Sequence, residues 1–485
     1  MSLPVLTAEQ MRAWEAASWA VKVSVNAVVG VVGDRLTARI RSLLPSGGRV
    51  LLLAGKGHNG DDVRAAAARL KGVDIELVNV HDPITAIDRV RTGLSRFPLL
   101  VVDGLFGIGL RGPLSEPWVE LFDLVNASLC PVLAVDVPSG IDADTGEPQG
   151  AAIVARWTVA VGAPKIGLFL APAAPYVGRL EVASGIGLTT HFDPIAGIDV
   201  GSRILWTESP DFLGLIPPRA VAAHKGDFGH LVIIAGSLGY HGAAVLAARA
   251  AIRARPGLVT VITSPECYLP VAAQLTGVMV APWDQSADLP ESTTAVLVGP
   301  GLAANSIPEW LRARVQAGWS ESPLTWIADA SALDWLRQVK PNGLAHRVWT
   351  PHPGEAGRLL RLSARDVQSD RIGSARKLAQ GIWTLLKGHQ TLVASPTGDV
   401  YINSSGNAGL AQGGTGDVLA GFIGGLLAQP ALVAKLDRTL RYAVWDHGAA
   451  ADRLELLANP WSPDDLILHL GLASSAHPAD PLNPR

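Results

Sequence analysis

The sequence predicts an α/β protein of two doubly wound domains, and three observations carry that prediction. Short continuous apolar runs alternate with helix-patterned segments in both halves of the chain, as expected of parallel sheets covered by helices on both faces. Several of these runs end in glycine-rich or aspartate-bearing loops, and open α/β sheets bind ligands at the carboxyl ends of their strands. A polar, proline-rich stretch from Glu208-Ser-Pro-Asp211 to Leu215-Ile-Pro-Pro-Arg219 interrupts the alternation, which then restarts. It reads as a linker. At 485 residues the chain exceeds one ordinary core, given about 150 residues per domain, and the domains are drawn at 1–207 and 208–485.

Composition narrows the function. Apolar residues make up 48% and charged residues 17%, with a net charge of −3, so no electrostatic footprint for nucleic acid or an anionic membrane is expected. Cys130 and Cys267 stand far apart, without metal-ligand spacing, which points to a reduced, cytoplasmic setting. The first ten residues do not read as a signal peptide; Thr7 and Gln10 read as a helix-capping box. The most apolar window, Val418 to Ala434, is broken by Gly424, Gly425 and Pro430. It is shorter than the ~20 residues a membrane span needs, so a buried helix is expected.

In the first half, Val50-Leu-Leu-Leu-Ala54 feeds the loop Gly55-Lys-Gly-His-Asn-Gly-Asp-Asp62, and an Ala-rich helix is expected from Val63 to Leu70. Free amides in such a turn suit a phosphate. Leu99 to Asp103 and Val132 to Asp136 repeat the pattern, each an apolar strand ending in aspartate, followed by Gly104-Leu-Phe-Gly-Ile-Gly-Leu-Arg-Gly-Pro113 and Val137-Pro-Ser-Gly-Ile-Asp142. A lone aspartate after a strand is commonly a helix cap. Two of them beside a glycine loop favour a pocket.

These segments resemble the NAD(P)H-hydrate epimerase domain, with a Rossmann-like sheet. The resemblance implies interconversion of the R and S forms of hydrated nicotinamide cofactor, with Asn59, Asp103 and Ser139 holding K⁺ through oxygen ligands. It places His58, Asn59, Gly60, Asp61 and Asp62, the loop Gly107, Ile108, Gly109, Leu110, Arg111, Gly112 and Pro113, and Asp136 around the hydrate. Lys165, in Gly162-Ala-Pro-Lys-Ile-Gly167, matches the family's lysine near the substrate; otherwise it would be a surface lysine after a strand. Asp136 and Lys165, facing each other across the ring, are the expected catalytic pair for proton exchange. Where the family's loop has glycines this chain has Asp61 and Val63, expected to bring a charge and a Cβ against a pyrophosphate.

In the second half, strands are expected at Leu231–Ala235, Leu258–Ile262, Ala295–Gly299, Thr325–Asp329 and Trp383–Leu386, with a hairpin of Thr391–Ala394 and Val400–Ile402 around Pro396-Thr-Gly-Asp399. The chain then reaches Gly409-Leu-Ala-Gln-Gly-Gly-Thr-Gly-Asp417, followed by apolar positions at helical spacing. Gly413, Gly414 and Gly416 allow positive φ and turn amides toward one point, where the helix N-terminus adds positive charge. Asp417, in the first helical turn beside that anion site, is well located to take a proton from a hydroxyl attacking a phosphoryl group.

The late loop ending in aspartate resembles the ribokinase-like superfamily. Together with His224-Lys-Gly-Asp-Phe-Gly229, Gly299-Pro-Gly301, Thr350-Pro-His-Pro-Gly-Glu355 and Lys387-Gly388, it resembles the nucleotide-dependent NAD(P)H-hydrate dehydratases. The resemblance implies ADP or ATP as co-substrate with Mg²⁺, NADHX and NADPHX as substrates, and a homo-oligomer. Ala243, Gly301, His352 and Asp417 would contact the hydrate, and Asp417 would act as base. Lys387, Gly388, His389, Gln390 and Thr391, with Gly413, Gly414, Thr415 and Gly416, would hold the nucleotide. The alternative is a ribokinase-like small-molecule kinase with a non-catalytic first half.

Overall fold

The computed structural model describes residues 2–472 except 200, 287, 304–306, 344 and 458. The chain divides into two compact units between Ile198 and Asp199.

In the first unit, helix α1 (Ala8–Ala20) starts on the expected capping box, with Gln10 N donating to Thr7 Oγ1 at 3.1 Å and Thr7 N to Gln10 Oε1 at 2.8 Å. Helix α2 (Val25–Leu43) precedes β1 (Arg49–Ala54), α3 (His58–Arg69), β2 (Asp74–Asn79), α4 (Pro83–Ser95), β3 (Leu100–Gly104), α5 (Glu116–Ala127), β4 (Val132–Val135), β5 (Trp157–Val161) and β6 (Arg179–Ala183). The six strands are parallel in the order β2-β1-β3-β4-β5-β6. Val50 to Ala54 are wholly buried, which explains why β1 reads as an unbroken apolar run. The chain leaves β1 in one direction for β2 and returns on its other side for β3, which opens a crevice at the carboxyl ends of β1 and β3. The helix expected from Val63 already begins at His58, with Gly57 as N-cap, so the loop is three residues long and His58 to Asp62 form the first helical turn.

The second unit begins earlier than 208. Strand β7 (Ile204–Thr207) pairs in parallel with Val400–Asn403, and Phe212 and Leu215 are buried in this unit's core. The first part of the expected linker is therefore structured chain, with Pro210 inside a short helical turn (Ser209–Phe212), while Pro217 and Pro218 lie in exposed irregular chain. Strands β8 (His230–Ile234), β9 (Leu258–Thr263), β10 (Met279–Pro282), β11 (Ala295–Val298), β12 (Thr325–Ala328), β13 (Arg347–Trp349), β14 (Trp383–Leu386), β15 (Leu392–Ala394) and β16 (Val400–Asn403) complete the sheet. Its order is β7-β16-β15-β14-β13-β12-β11-β8-β9-β10. All pairs are parallel except β14 with β15 and β15 with β16, the expected hairpin. The order reverses between β8 and β11.

Of the helices α6 (His241–Arg253), α7 (Glu309–Glu321), α8 (Pro353–Leu360) and α9 (Thr415–Leu427), the first and last fix the site end of this sheet. Val418, Leu419, Phe422, Ile423, Leu426 and Leu427 of α9 are all buried. A Cβ on Gly421 would lie 2.0 Å from Ala247 O, so only glycine lets α9 lie this close to the alanine face of α6. The apolar window ends at Leu427, before a separate short turn at Pro430–Val433, and among the described residues no helix is long and apolar enough to cross a membrane.

Candidate functional site

At the crevice of the first unit, the strand-end aspartates have different surroundings. Asp103 is fully buried: its Oδ1 accepts from Ser139 Oγ at 2.6 Å and Leu105 N at 3.2 Å, and its Oδ2 from Ser139 N at 2.8 Å. Burial pushes its carboxyl up to about 6 against the pull of those donors. Asn59 Nδ2 donates to Phe106 O and Val135 O, both at 2.8 Å, while its Oδ1 accepts no hydrogen bond among the described residues. A buried carboxylate without a cationic partner, a hydroxyl and a free amide oxygen make an all-oxygen donor set suited to a hard monovalent cation. Asn59, Asp103 and Ser139 thus fit K⁺.

Asp136, at φ +68° just beyond β4, is 5% exposed. Its Oδ1 contacts Lys165 Nζ and accepts from Val161 N at 3.2 Å, and Lys165 Nζ also donates to Val161 O at 2.8 Å. Lys165 is 1% exposed, so it is no surface lysine. The two groups touch each other instead of facing across a substrate-sized gap. Asp61 is partly exposed, its carboxylate 2.9 Å from Arg64 Nη2 and 3.5 Å from His58 Nδ1. Val63 is fully buried in the core. The Val63 Cβ expected against the pyrophosphate is therefore in the core, and the Asp61 charge is paired with Arg64 within the first helical turn. The segment Arg111 to Pro113 is exposed and Gly107 abuts the Asn59 amide. Sequence reasoning missed Glu15 and Arg12 on α1: Arg12 donates to Ile108 O, and Glu15 interacts electrostatically with Lys165, Asp136 and His58.

In the second unit the residues gather at the carboxyl edge of β11 to β14 and the N-terminus of α9. Thr350 Oγ1 donates to Asp329 Oδ1 at 2.6 Å, and Lys387 Nζ reaches the same oxygen at 2.7 Å and Glu355 Oε2 at 3.9 Å. Lys387 is therefore already paired, its side chain 17% exposed. Asp417 lies in the first turn of α9, as expected. Burial chiefly, then Asp329 and Glu355, push its carboxyl up to about 7 despite Lys387. Of the three loop glycines only Gly414 takes positive φ, at 96°, a left-handed N-cap that non-glycine residues rarely adopt. His447 Nε2 lies 3.0 Å from Thr415 O, and burial pushes this ring down to about 4. It is a neutral prop under the loop that the sequence did not reveal.

Gly301 and Ala243 adjoin, since a Cβ on Gly301 would sit 2.9 Å from Ala243 Cβ. His352 caps the helix α8 (Pro353–Leu360): its Nδ1 accepts from Gly354 N at 3.0 Å, and its own N donates to Glu355 Oε2 at 2.8 Å. Beyond Lys387, Gly388 is at φ +127° and Gln390 at φ +51°, Thr391 Oγ1 donates to Gly388 O at 3.1 Å, and burial lowers the His389 ring. Among the described residues no three His, Cys, Asp or Glu side chains could hold a metal by themselves. A Mg²⁺ ion fits here only as one carried largely by nucleotide phosphates.

Known proteins are similar to this chain in both of its units. Residues 231–469 match the NAD(P)H-hydrate dehydratase family and residues 92–167 the YjeF-related protein N-terminus. The bifunctional NAD(P)H-hydrate repair enzyme of Coxiella burnetii is 36% identical over 435 residues, 84% of this chain and 86% of that one. Its counterpart in Gloeobacter violaceus is 37% identical over 508 residues, 96% of each chain. A crystal structure of the ADP/ATP-dependent NAD(P)H-hydrate dehydratase of Bacillus subtilis, with ATP and Mg²⁺, superposes with a TM-score of 0.51 at 28% identity, covering 57% of this chain and 98% of that one. The chain belongs to the family of bifunctional NAD(P)H-hydrate repair enzymes.

Proposed function

We propose that the chain restores hydrated NADH and NADPH: the second unit dehydrates the S-hydrate with ADP or ATP, and the first interconverts the R- and S-hydrates. The observation that carries the dehydratase half is Asp417, a carboxyl at about 7 at the N-terminus of α9. A base is most effective when its pKa lies near the working pH. Asp417 takes the proton of the ring hydroxyl, which attacks the terminal phosphoryl group. The α9 amides receive the developing negative charge, and Mg²⁺ when bound neutralises the phosphates. Loss of phosphate, helped by electron release from the ring nitrogen, leaves an iminium; the adjacent ring carbon then gives up a proton to solvent, which restores the ring double bond of the reduced cofactor and leaves AMP from ADP or ADP from ATP. Lys387, paired to Asp329 and Glu355, keeps net negative charge near Asp417 in check.

In the first unit, Lys165 contacts Asp136 Oδ1 and orients that carboxyl to accept the hydroxyl proton of the hydrate. K⁺ at Asn59, Asp103 and Ser139 would offset the Asp103 charge and fix the Phe106 to Pro113 loop. The pairing of Asp61 with Arg64 offsets its charge, which supports an active first unit over a purely scaffolding one.

The test is to add pure S-hydrate, Mg²⁺ and either nucleotide to the full chain and follow the return of NADH absorbance. Accumulation of a phosphorylated alcohol with no reduced cofactor would instead establish the kinase alternative. A pH series gives a second check. With Asp417 at about 7, kcat/KM for dehydration should fall about tenfold per unit below neutrality and level off above it. A flat profile across that range would remove Asp417 as the base.

A further inference from the structure

Inverting a carbon that carries a hydroxyl beside a ring nitrogen needs two proton-transfer groups. One takes the O–H proton as the N–C bond breaks and its electron pair moves to nitrogen; the other gives nitrogen a proton. The open carbonyl then turns over, and both protons return as the ring closes on the other face. Asp136 and Lys165 do not supply both groups. They contact each other, and the remaining bond of Lys165 Nζ runs to Val161 O at 2.8 Å. With the lysine 1% exposed, the pair acts from one place as one unit.

Asp62 stands in the first turn of α3 and is 5% exposed. Among the described residues it makes no hydrogen bond or ion pair, which is rare for a carboxyl so deeply buried. The charges that face it are Asp136, Asp61 and Glu15, with Lys165 as the one cation. Burial first, and then those three carboxylates, hold Asp62 well above the usual carboxylate range, which favours a proton on it. Glu15 reaches this group from α1, itself raised by burial and set among Lys165, Asp136, His58 and Arg12. We propose that Asp62 is the second catalytic group of this site, giving its proton to the ring nitrogen while Asp136 takes that of the hydroxyl, and that Glu15 is a positioning residue acting through Asp62. The assignment rests on the epimerase reading above.

The experiment uses the full chain, R-hydrate and no nucleotide, with the R-to-S ratio followed by chromatography across roughly pH 5–9. Asp62→Asn should lower kcat by about 10²-fold or more with KM little changed, and Asp62→Glu should recover part of the rate. The wild-type rate should fall at high pH as Asp62 loses its proton. Glu15→Gln should move that falling limb to lower pH, because removing a neighbouring negative charge weakens the hold of Asp62 on its proton. A merely structural Glu15 would lower the rate at every pH and leave the limb in place. The proposal is overturned if the wild type converts R-hydrate and Asp62→Asn converts it nearly as fast, or if the limb stays put in Glu15→Gln. Should Asp62→Asn prove misfolded by circular dichroism, the Glu15→Gln limb decides alone. No conversion above the spontaneous rate by the wild type would overturn the epimerase reading itself, and this assignment with it.

Discussion

Asp417→Asn is expected to abolish nucleotide-dependent dehydration while making the protein more stable at neutral pH. Loss of a general base costs about 10²–10⁴-fold in rate. The gain in stability follows from the same carboxyl. Its value is raised from 3.8 to about 7 in the fold, so the folded state binds this proton more tightly than the unfolded chain does. Stability therefore falls as pH rises through that window, and above about 7 the whole penalty is present. One unit corresponds to about 1.4 kcal/mol, which caps the penalty at ~4 kcal/mol; contact with solvent reduces it to on the order of 1–2 kcal/mol. Removing the charge removes the penalty, and the expected trade of stability for activity is common at reactive sites. Thermal melts of both proteins at neutral and acid pH are the check. The melting temperatures should converge as pH drops below the unfolded value, where both side chains are neutral. A variant that keeps near-native turnover would take Asp417 out of the mechanism, and one that is less stable than the wild type would contradict the buried, crowded placement.

The parts of the site legible in the sequence are those in which composition and position coincide. Asp103, Asp136 and Asp329 announce themselves as acids closing apolar strands, and Asp417 as an acid following a glycine loop before a helix. Their neighbours carry no such mark. Glu15 is one of two acids on α1, with Glu9, and nothing in helical spacing separates it from a solvated side chain. His447 sits in the middle of α10 (Leu436–Glu455), and its role as a prop depends on a loop over thirty residues earlier in the chain. His352 is the reverse case. A histidine between two prolines invites a ligand role, and its Nδ1 also caps a helix by accepting from Gly354 N, a duty that the flanking prolines do not announce. The start of α3 was hidden because Gly57 to Gly60 compose a plausible loop, whereas burial of Val63 and the close approach of Gly60 to Gly55 O decide for a helix. Strand β7 escaped because Ile204 to Thr207 is only four residues long and pairs with a partner nearly two hundred positions away, information no local pattern holds.

Lys165→Met is expected to be the most destabilising single change in the first unit. Methionine nearly matches the lysine in length and apolar bulk, so packing is largely kept while the ammonium is lost. Asp136, 5% exposed, is then left with Val161 N at 3.2 Å as its remaining described donor. Removing one member of a buried ion pair costs about 3–5 kcal/mol, which for a unit of this size lowers the melting temperature by on the order of 10 °C. A carboxylate stranded in this way takes up a proton, and once neutral it no longer accepts one from the hydrate, so R-to-S conversion should be lost as well. The double variant Lys165→Met with Asp136→Asn separates the two effects. With both charges gone most of the stability should return, since a neutral pair of similar volume carries no uncompensated charge, yet epimerisation should stay absent. Calorimetry and the chromatographic R-to-S assay on the three proteins are sufficient. A single variant as stable as the wild type would mean that the buried pair is not charged. A double variant that epimerises would mean that the hydroxyl proton goes to a group other than Asp136.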